Sequence, residues 1–206
     1  MKQSKTLRRW ELALLLGVAC AALLGVWLDG AQAALSDQVI RLHVLANSDS
    51  EADQALKLRV RDRVLERATE LLEQSADRQE AEALLRGNLL ELENLAAEEI
   101  AAAGYDYPVT AELTDTTFPT REYDGFTLPA GEYLALRIVI GEGAGQNWWC
   151  VVFPPLCQGT SVEAQPALAA LGEEEAALLT GESEGYVLKF KAMELWEGFR
   201  RWAEGA

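Results

Sequence analysis

The 206-residue sequence contains one histidine, His43, and only three cysteines. A metal site built from several histidines is therefore excluded, and any histidine base would have to be His43. Basic residues are also scarce, because 18 lysines and arginines stand against 33 acidic residues and the formal net charge is -15. This charge argues against a nucleic-acid partner, since such binding depends on cations that neutralise phosphates.

The rest of the composition is that of a globular protein. Half of the residues are hydrophobic, 8% are aromatic and 25% are charged. This composition excludes a disordered acidic tail protein. The length suffices for one compact domain rather than two.

The chain begins with the features of an export signal. A basic segment precedes 17 uncharged residues from Leu12 to Leu28, and Ala31 and Ala33 then supply the small residues that a signal peptidase recognises. We therefore expect residues 1–33 to be a signal peptide, cleaved between Ala33 and Ala34. The alternative is a retained N-terminal membrane anchor, although the uncharged run reaches only roughly 25 Å at about 1.5 Å per residue, short of a bilayer core of about 30 Å.

The cysteines fit an exported protein. A lipoprotein signal at Cys20 is disfavoured, because Gly17 stands where a branched residue is usual. Beyond the signal only Cys150 and Cys157 remain, with six residues between them. In an oxidising compartment such a pair is expected to form a local disulfide; two buried free thiols are the alternative, and a metal pair without histidines is disfavoured.

After the signal, apolar and polar residues alternate over 39–45. Ile40, Leu42 and Val44 fall on one face of this predicted strand, and Arg41 and His43 fall on the other. We therefore expect a strand with one buried face.

Two helices are predicted next. The first follows a turn over 47–50, with either Ser48 or Ser50 as its N-cap. The second runs from Asp77 to Gly104, and the short turn between the two helices favours an antiparallel pair.

From residue 109 onward, apolar residues again recur at every second position. Strands are expected over 109–113 and 132–140, and a third apolar segment follows at 148–153. Residues 141–145 resemble a hairpin turn, which would make the last two strands antiparallel neighbours. The order of elements predicts an α+β fold: a mostly antiparallel sheet with a helical hairpin packed on one face and a C-terminal helix.

The predicted exported domain spans residues 34–157. Residues 158–184 contain six acidic and no basic residues and are expected to form a loose acidic insertion. Residues 185–206 have apolar side chains at helical spacing, which predicts an amphipathic helix. That helix either packs on the core or lies on a membrane surface.

Nothing in the sequence indicates catalysis or a cofactor. The glycine-rich segment over 141–145 lacks the lysine of a phosphate loop and the spacing of a dinucleotide-binding turn. A nucleophilic pair of Cys150 and His43 would need the same cysteine that a disulfide would consume. We therefore predict a non-enzymatic protein with no metal and no cofactor.

Two long segments resemble a known family. IRLHVLANSDSEADQALKLRVRD from Ile40 and FPTREYDGFTLPAGEYLALRIVIGEGAGQNWWCVVFPPLC from Phe118 closely resemble the stage II sporulation protein R family of endospore-forming bacteria. The segment YVLKFKAMELWE from Tyr186 is also similar to the close of family members. Residues 158–184 lie outside the resemblance.

The resemblance implies an intercellular signal. Members of this family are made in the forespore and exported into the space between the forespore and mother-cell membranes. There they activate a membrane-embedded aspartic protease, which processes the precursor of sigma factor E. This chain would therefore be a secreted signalling protein whose partner is that protease.

The resemblance does not say which residues contact the protease. Adjacent tryptophans are strong anchors at interfaces, and strand alternation places Trp148 and Trp149 on opposite faces, one in the core and one exposed. His43, Asn47 and Asp49 lie at the end of the first predicted strand, a frequent place for binding groups, although Asn47 and Asp49 are equally expected as turn and cap residues. The alternative function is an exported module that binds a membrane surface or peptidoglycan.

Overall fold

The computed structural model describes residues 9–123 and 126–155, together with Gly198. The elements in chain order are α1 Arg9–Ser36, β1 Ile40–Leu45, α2 Glu51–Leu72, α3 Arg78–Gly87, α4 Leu89–Ala102, β2 Val109–Phe118, β3 Arg121–Tyr123, β4 Phe126–Leu128, β5 Gly131–Ile140 and β6 Asn147–Phe153. Within these ranges no helix combines the length and apolar character needed to cross a membrane. The insertion predicted over 158–184 lies outside the described residues, as does the C-terminal helix over 185–206 apart from Gly198.

Four strands form the main sheet, in the order β2-β5-β1-β6. β1 runs parallel to β5, whereas β2 pairs with β5 and β6 pairs with β1 in antiparallel fashion. A second sheet consists of the short hairpin β3–β4. The described residues therefore have an α+β fold with a mostly antiparallel sheet, which confirms the predicted fold class.

The predicted pairing of the last two strands is wrong. β5 and β6 are not neighbours, because β1 lies between them and bonds to both. The segment between them crosses the end of β1, and six residues are long enough to span two strand spacings of about 4.8 Å each. A turn signal between two apolar runs thus did not reveal that an earlier strand occupies the middle of the sheet.

One face of the sheet is covered by the helices. Ile40, Leu42 and Val44 of β1 join Val60 and Val64 of α2 and residues of α4 in the larger hydrophobic cluster. The helices begin where capping residues are available, because the Ser50 and Asp77 side chains accept the backbone N–H groups of Asp53 and Glu80. Ser50, one of the two predicted candidates, is therefore the N-cap of α2.

The second predicted helix is divided in two. Asn88 separates α3 from α4 and has φ -117° and ψ 11°, outside the helical region. Its side chain donates to Leu84 O over 2.7 Å. An asparagine that bonds to nearby backbone competes with the helical pattern, which explains a break that apolar spacing did not predict.

The other face of the sheet is buried as well. A smaller cluster there includes Leu35 at the end of α1, Phe118, Leu128, Tyr133 and Val151. All six residues of β1 are buried, so the expectation that this strand has only one buried face is wrong. The polar residues Arg41 and His43 consequently lie inside the protein rather than in solvent.

Candidate functional site

The turn after β1 is fixed by the start of α2. The Asp53 carboxylate accepts hydrogen bonds from Asn47 Nδ2 over 2.9 Å and from Ser48 Oγ over 2.6 Å. These bonds, with that from Ser48 as the largest cause, lower the pKa of Asp53 below its ordinary value. Asp53 is itself buried. These hydrogen bonds hold the turn in one conformation, so its polar side chains have a structural role.

The loop over 141–146 lies on top of this turn. Its backbone donates from Gly145 N to Ala46 O over 2.9 Å, and from Gln146 N to Asp49 Oδ1 over 2.7 Å. Glu142 N also donates to Asn47 Oδ1 over 3.1 Å. The two long segments that begin at Ile40 and at Phe118 therefore meet in space at the carboxyl end of β1.

A buried lysine ties the same loop to α2. Lys57 Nζ donates to Gln146 O over 3.0 Å and to Gln54 Oε1 over 2.6 Å. Only 4% of Lys57 is exposed, and this burial lowers the pKa of its amine. Lys57 thus acts as a cross-link between the helix and the loop.

Asn47 and Asp49 hold this turn and loop together. Each accepts a backbone N–H group of the loop. These bonds agree with the turn-and-cap interpretation of the two residues. Their predicted role in partner binding stays a prediction.

The two tryptophans occupy opposite faces of β6, as predicted. In the sheet register Trp148 pairs with Val44, on the helix-covered face, and Trp149 pairs with His43, on the other face. Trp148 is 37% exposed, and the Arg61 guanidinium of α2 lies 4.3 Å from the centre of its ring. Trp148 is therefore the exposed member of the pair.

Trp149 belongs to the smaller cluster. It is partly buried there, and its ring stacks on that of His43 with centres 5.9 Å apart. Arg121 of the β3–β4 hairpin lies 4.0 Å from its ring centre. Trp149 is thus held between the sheet and the hairpin.

His43 is buried beside two aromatic rings, Trp149 and Phe118. Its Nε2 lies 3.0 Å from Asn147 Oδ1; in the neutral ring that makes this hydrogen bond, Nε2 carries the proton and Nδ1 does not. Burial, aided by the charges of Arg137 and Arg41, lowers the pKa of His43 below 6.5. The neutral form of His43 is therefore favoured, and because the ring is buried, His43 is not an exposed contact.

Arg41 is the residue of this region that sequence reasoning missed. It is fully buried and donates through Nη2 to the Tyr123 hydroxyl over 2.6 Å. Its guanidinium carbon lies 3.9 Å from the ring centre of Phe118 and 5.0 Å from that of Tyr133. The available signal was an arginine inside a strand that is otherwise almost entirely apolar.

The remaining predicted residues are partly described. Cys150 is buried in the larger cluster, and Cys157 lies outside the described residues. Ala31, Ala33 and Ala34 lie in α1, where Ala33 and Ala34 are exposed. Cleavage of the signal and pairing of the cysteines both stay predictions.

Comparisons with known proteins identify the family. A family model described as stage II sporulation protein R matches residues 36–163. The chain belongs to this family. It is also 42% identical over 123 residues to the stage II sporulation protein R of Bacillus subtilis (strain 168).

The match with that relative covers 60% of this chain and 55% of the relative, so the chain spans little more than half of its length. No solved structure matches this stage II sporulation protein R family member. The matched residues 36–163 include β1 and the loop over 141–146, the two parts that meet at the carboxyl end of β1.

Proposed function

We propose that this protein is a secreted signal of endospore formation that activates a membrane-embedded aspartic protease and thereby leads to processing of the sigma-E precursor. Membership of the stage II sporulation protein R family carries this proposal. The protein would be exported from the forespore into the space between the two membranes, and its N-terminal segment would direct that export. We propose no catalytic step for the chain itself.

The proposed contact with the protease is centred on Trp148. This tryptophan is 37% exposed beside Arg61, and it lies on the last strand of the sheet, where no further described strand covers β6. Tryptophan and arginine are among the residue types that most often dominate the binding energy at protein interfaces. His43 lies in the interior, and Asn47 and Asp49 support the turn, so Trp148 is the strongest candidate of the five predicted contacts.

Reconstitution in a non-sporulating bacterium tests the function. The aspartic protease and the sigma-E precursor are expressed with the full chain, without it, and with a chain that lacks residues 1–33. We expect precursor cleavage only when the full chain is present, because the signal has to reach the far side of the membrane. The measurement is the fraction of precursor cleaved on an immunoblot.

The controls separate failure of folding from failure of function. The exported chain is recovered and its folding is checked by thermal unfolding. Cleavage that also occurs without the chain, or no cleavage in the presence of folded, exported chain, would contradict the proposed function.

The alternative function is binding to the cell envelope. The exposed Trp148 is compatible with it, since tryptophan is also favoured at membrane surfaces. Flotation of the whole chain beyond the predicted signal, residues 34–206, with anionic and neutral liposomes distinguishes the two functions. Protease activation needs no lipid affinity from this domain, whereas envelope binding requires flotation or retention on peptidoglycan.

A further inference from the structure

Unpartnered buried nitrogens are concentrated at one place in the fold. Among the described residues, four buried side-chain nitrogens have no hydrogen-bond partner. Two of them, Nε and Nη1, belong to Arg41 and are N–H donors; a third, Nδ1 of His43, lies two residues further along β1 and is an acceptor in the neutral ring. Because β1 residues alternate between faces, Arg41 and His43 share the face of the sheet that carries the smaller cluster.

The Arg41 charge is not neutralised by the described residues. Two aromatic rings and one neutral hydroxyl surround its guanidinium, and no ion pair joins it to a described carboxylate. A buried charge without a counter-charge is costly to the fold, even where aromatic faces recover part of the lost hydration. The arrangement is therefore poor for stability and well suited to receive an anion.

The surroundings of Arg41 are positive although the chain is strongly acidic. Arg121 and Arg137 are close enough for their charges to act on Arg41 and His43, respectively. Arg137 is paired with Glu112, whereas Arg121 is exposed and lies over Trp149. An approaching anion would thus meet Arg121 first and Arg41 deeper inside.

We propose that Arg41 is the centre of a carboxylate-binding site that takes an acidic side chain of an extended partner peptide. One buried guanidinium balances one negative charge, which fits a carboxylate better than a phosphate ester of nearly two charges. This site lies on the opposite face of the sheet from Trp148 and goes beyond the proposed function.

Part of the cover over the fully buried Arg41 is a short hairpin. β3 and β4 have three residues each, and Tyr123 of β3 accepts the Arg41 hydrogen bond. A carboxylate that displaced the tyrosine hydroxyl would replace a bond to a neutral acceptor with a charge-assisted bond, which is roughly twice as strong. The peptide would enter beside Tyr123, along the hairpin that carries Arg121.

Calorimetric titration of the purified chain with blocked hexaglutamate tests this site. We expect the wild type to bind, and the Arg41→Met variant to bind at least about tenfold more weakly, since a charged hydrogen bond is lost. The melting temperature of Arg41→Met is expected to stay equal or rise, because the variant removes an unpaired buried charge. A purely structural arginine would show the opposite pattern.

Arg59→Met is the matched control. It removes the same charge from an exposed residue of α2 that pairs with Glu99. We expect it to bind hexaglutamate like the wild type. If the Arg41 and Arg59 variants lose affinity for hexaglutamate equally, binding depends only on the net charge of the protein. That result would overturn the proposal.

Other results would also overturn the proposal. The first is no binding of hexaglutamate by folded wild type, and the second is unchanged binding by Arg41→Met. If Arg41→Met does not fold, the exposed Arg121→Met variant decides, and unchanged affinity there contradicts the site. The third is tighter peptide binding after Glu173, Glu174 and Glu175 are all changed to Gln, which would assign the site to the acidic segment of the chain itself.

Discussion

Gly145 lies against the backbone of Ser48. A Cβ atom on Gly145 would stand 2.2 Å from the carbonyl oxygen of Ser48 and 2.5 Å from its carbonyl carbon. Backbone atoms cannot move aside as the end of a flexible side chain does. The close approach explains why the loop over 141–146 can bond to Ala46 and cover the end of β1.

We predict that Gly145→Ala destabilises the protein by about 1–3 kcal/mol, the usual cost of forcing an extra carbon into a packed site. The physical reason is that the loop must lift off the turn and lose its bond to Ala46. The measurement is the free energy of unfolding from urea denaturation.

Gly87→Ala is the control for this substitution. Gly87 is the last residue of α3, and no atom lies within 4 Å of its Cβ position. Alanine there should leave stability unchanged or raise it by up to about 1 kcal/mol, because alanine favours helices. Equal effects of the two substitutions would mean that the Gly145 contact does not hold the loop.

Local patterns in the sequence were sufficient for the fold class. Apolar residues at every second position identified β1, and two candidate N-caps, Ser48 and Ser50, placed the start of α2 within two residues. These features depend on neighbours in the chain, so a single sequence contains them. The opposite faces of Trp148 and Trp149 followed from the same alternation.

The order of strands and the second buried face depend on distant residues. Nothing local to β5 and β6 indicates that β1 inserts between them. Arg41 looks like a solvent-facing strand residue until the hairpin that contains Tyr123 is placed over it. Because such contacts join residues that are distant in the chain, only some residues of the candidate site could be predicted.

His43 predicts a pH dependence of stability. Burial lowers its pKa in the folded protein below the ordinary 6.5, and Arg41 and Arg137 act in the same direction. The unfolded chain therefore binds a proton first as the pH falls. Stability should be constant above about pH 7.5 and decrease below about pH 6.5, down to the folded pKa.

Urea unfolding at several pH values between about pH 7.5 and about pH 5.5 measures this effect, in a range where carboxylates remain ionised. The comparison is with His43→Gln, which keeps a donor for Asn147 but does not titrate. His43 is the single histidine of the chain, so the variant should show a flat profile in this range. The same decrease in both proteins would show that another group causes it.

Cys150 and Cys157 are predicted to form a disulfide in the exported protein. Cys150 is 8% exposed within the larger cluster, and Cys157 follows after six residues. A bridge over so short a segment would fix the chain where it leaves β6. We expect the exported protein to resist thiol alkylation until it is reduced, with the alkylation counted by mass spectrometry.

Single serine variants distinguish a bridge from a reactive thiol. If the two cysteines form a bridge, Cys150→Ser and Cys157→Ser should lower stability and signalling to the same extent. Loss of signalling in Cys150→Ser alone would instead favour a thiol-dependent reaction and contradict the disulfide.

Trp148→Ala is predicted to abolish signalling while folding and export persist. The indole is 37% exposed, and its described contact with a charged group is that with Arg61. Loss of this cation–π contact should cost no more than about 1 kcal/mol of stability. Loss of an aromatic anchor at an interface commonly costs about 2 kcal/mol or more of binding free energy. Precursor cleavage in the reconstituted system and thermal unfolding are measured on the same variant.

Two matched variants make the Trp148 result specific. Leu90→Ala removes another exposed apolar side chain, 71% exposed on α4, and should change neither signalling nor stability. Trp149→Ala removes a tryptophan that packs on His43, so it should lower stability by about 1–3 kcal/mol. Normal precursor cleavage with Trp148→Ala would exclude this residue from the contact with the protease. Loss of cleavage with Leu90→Ala as well would show that the assay responds to any loss of exposed apolar surface.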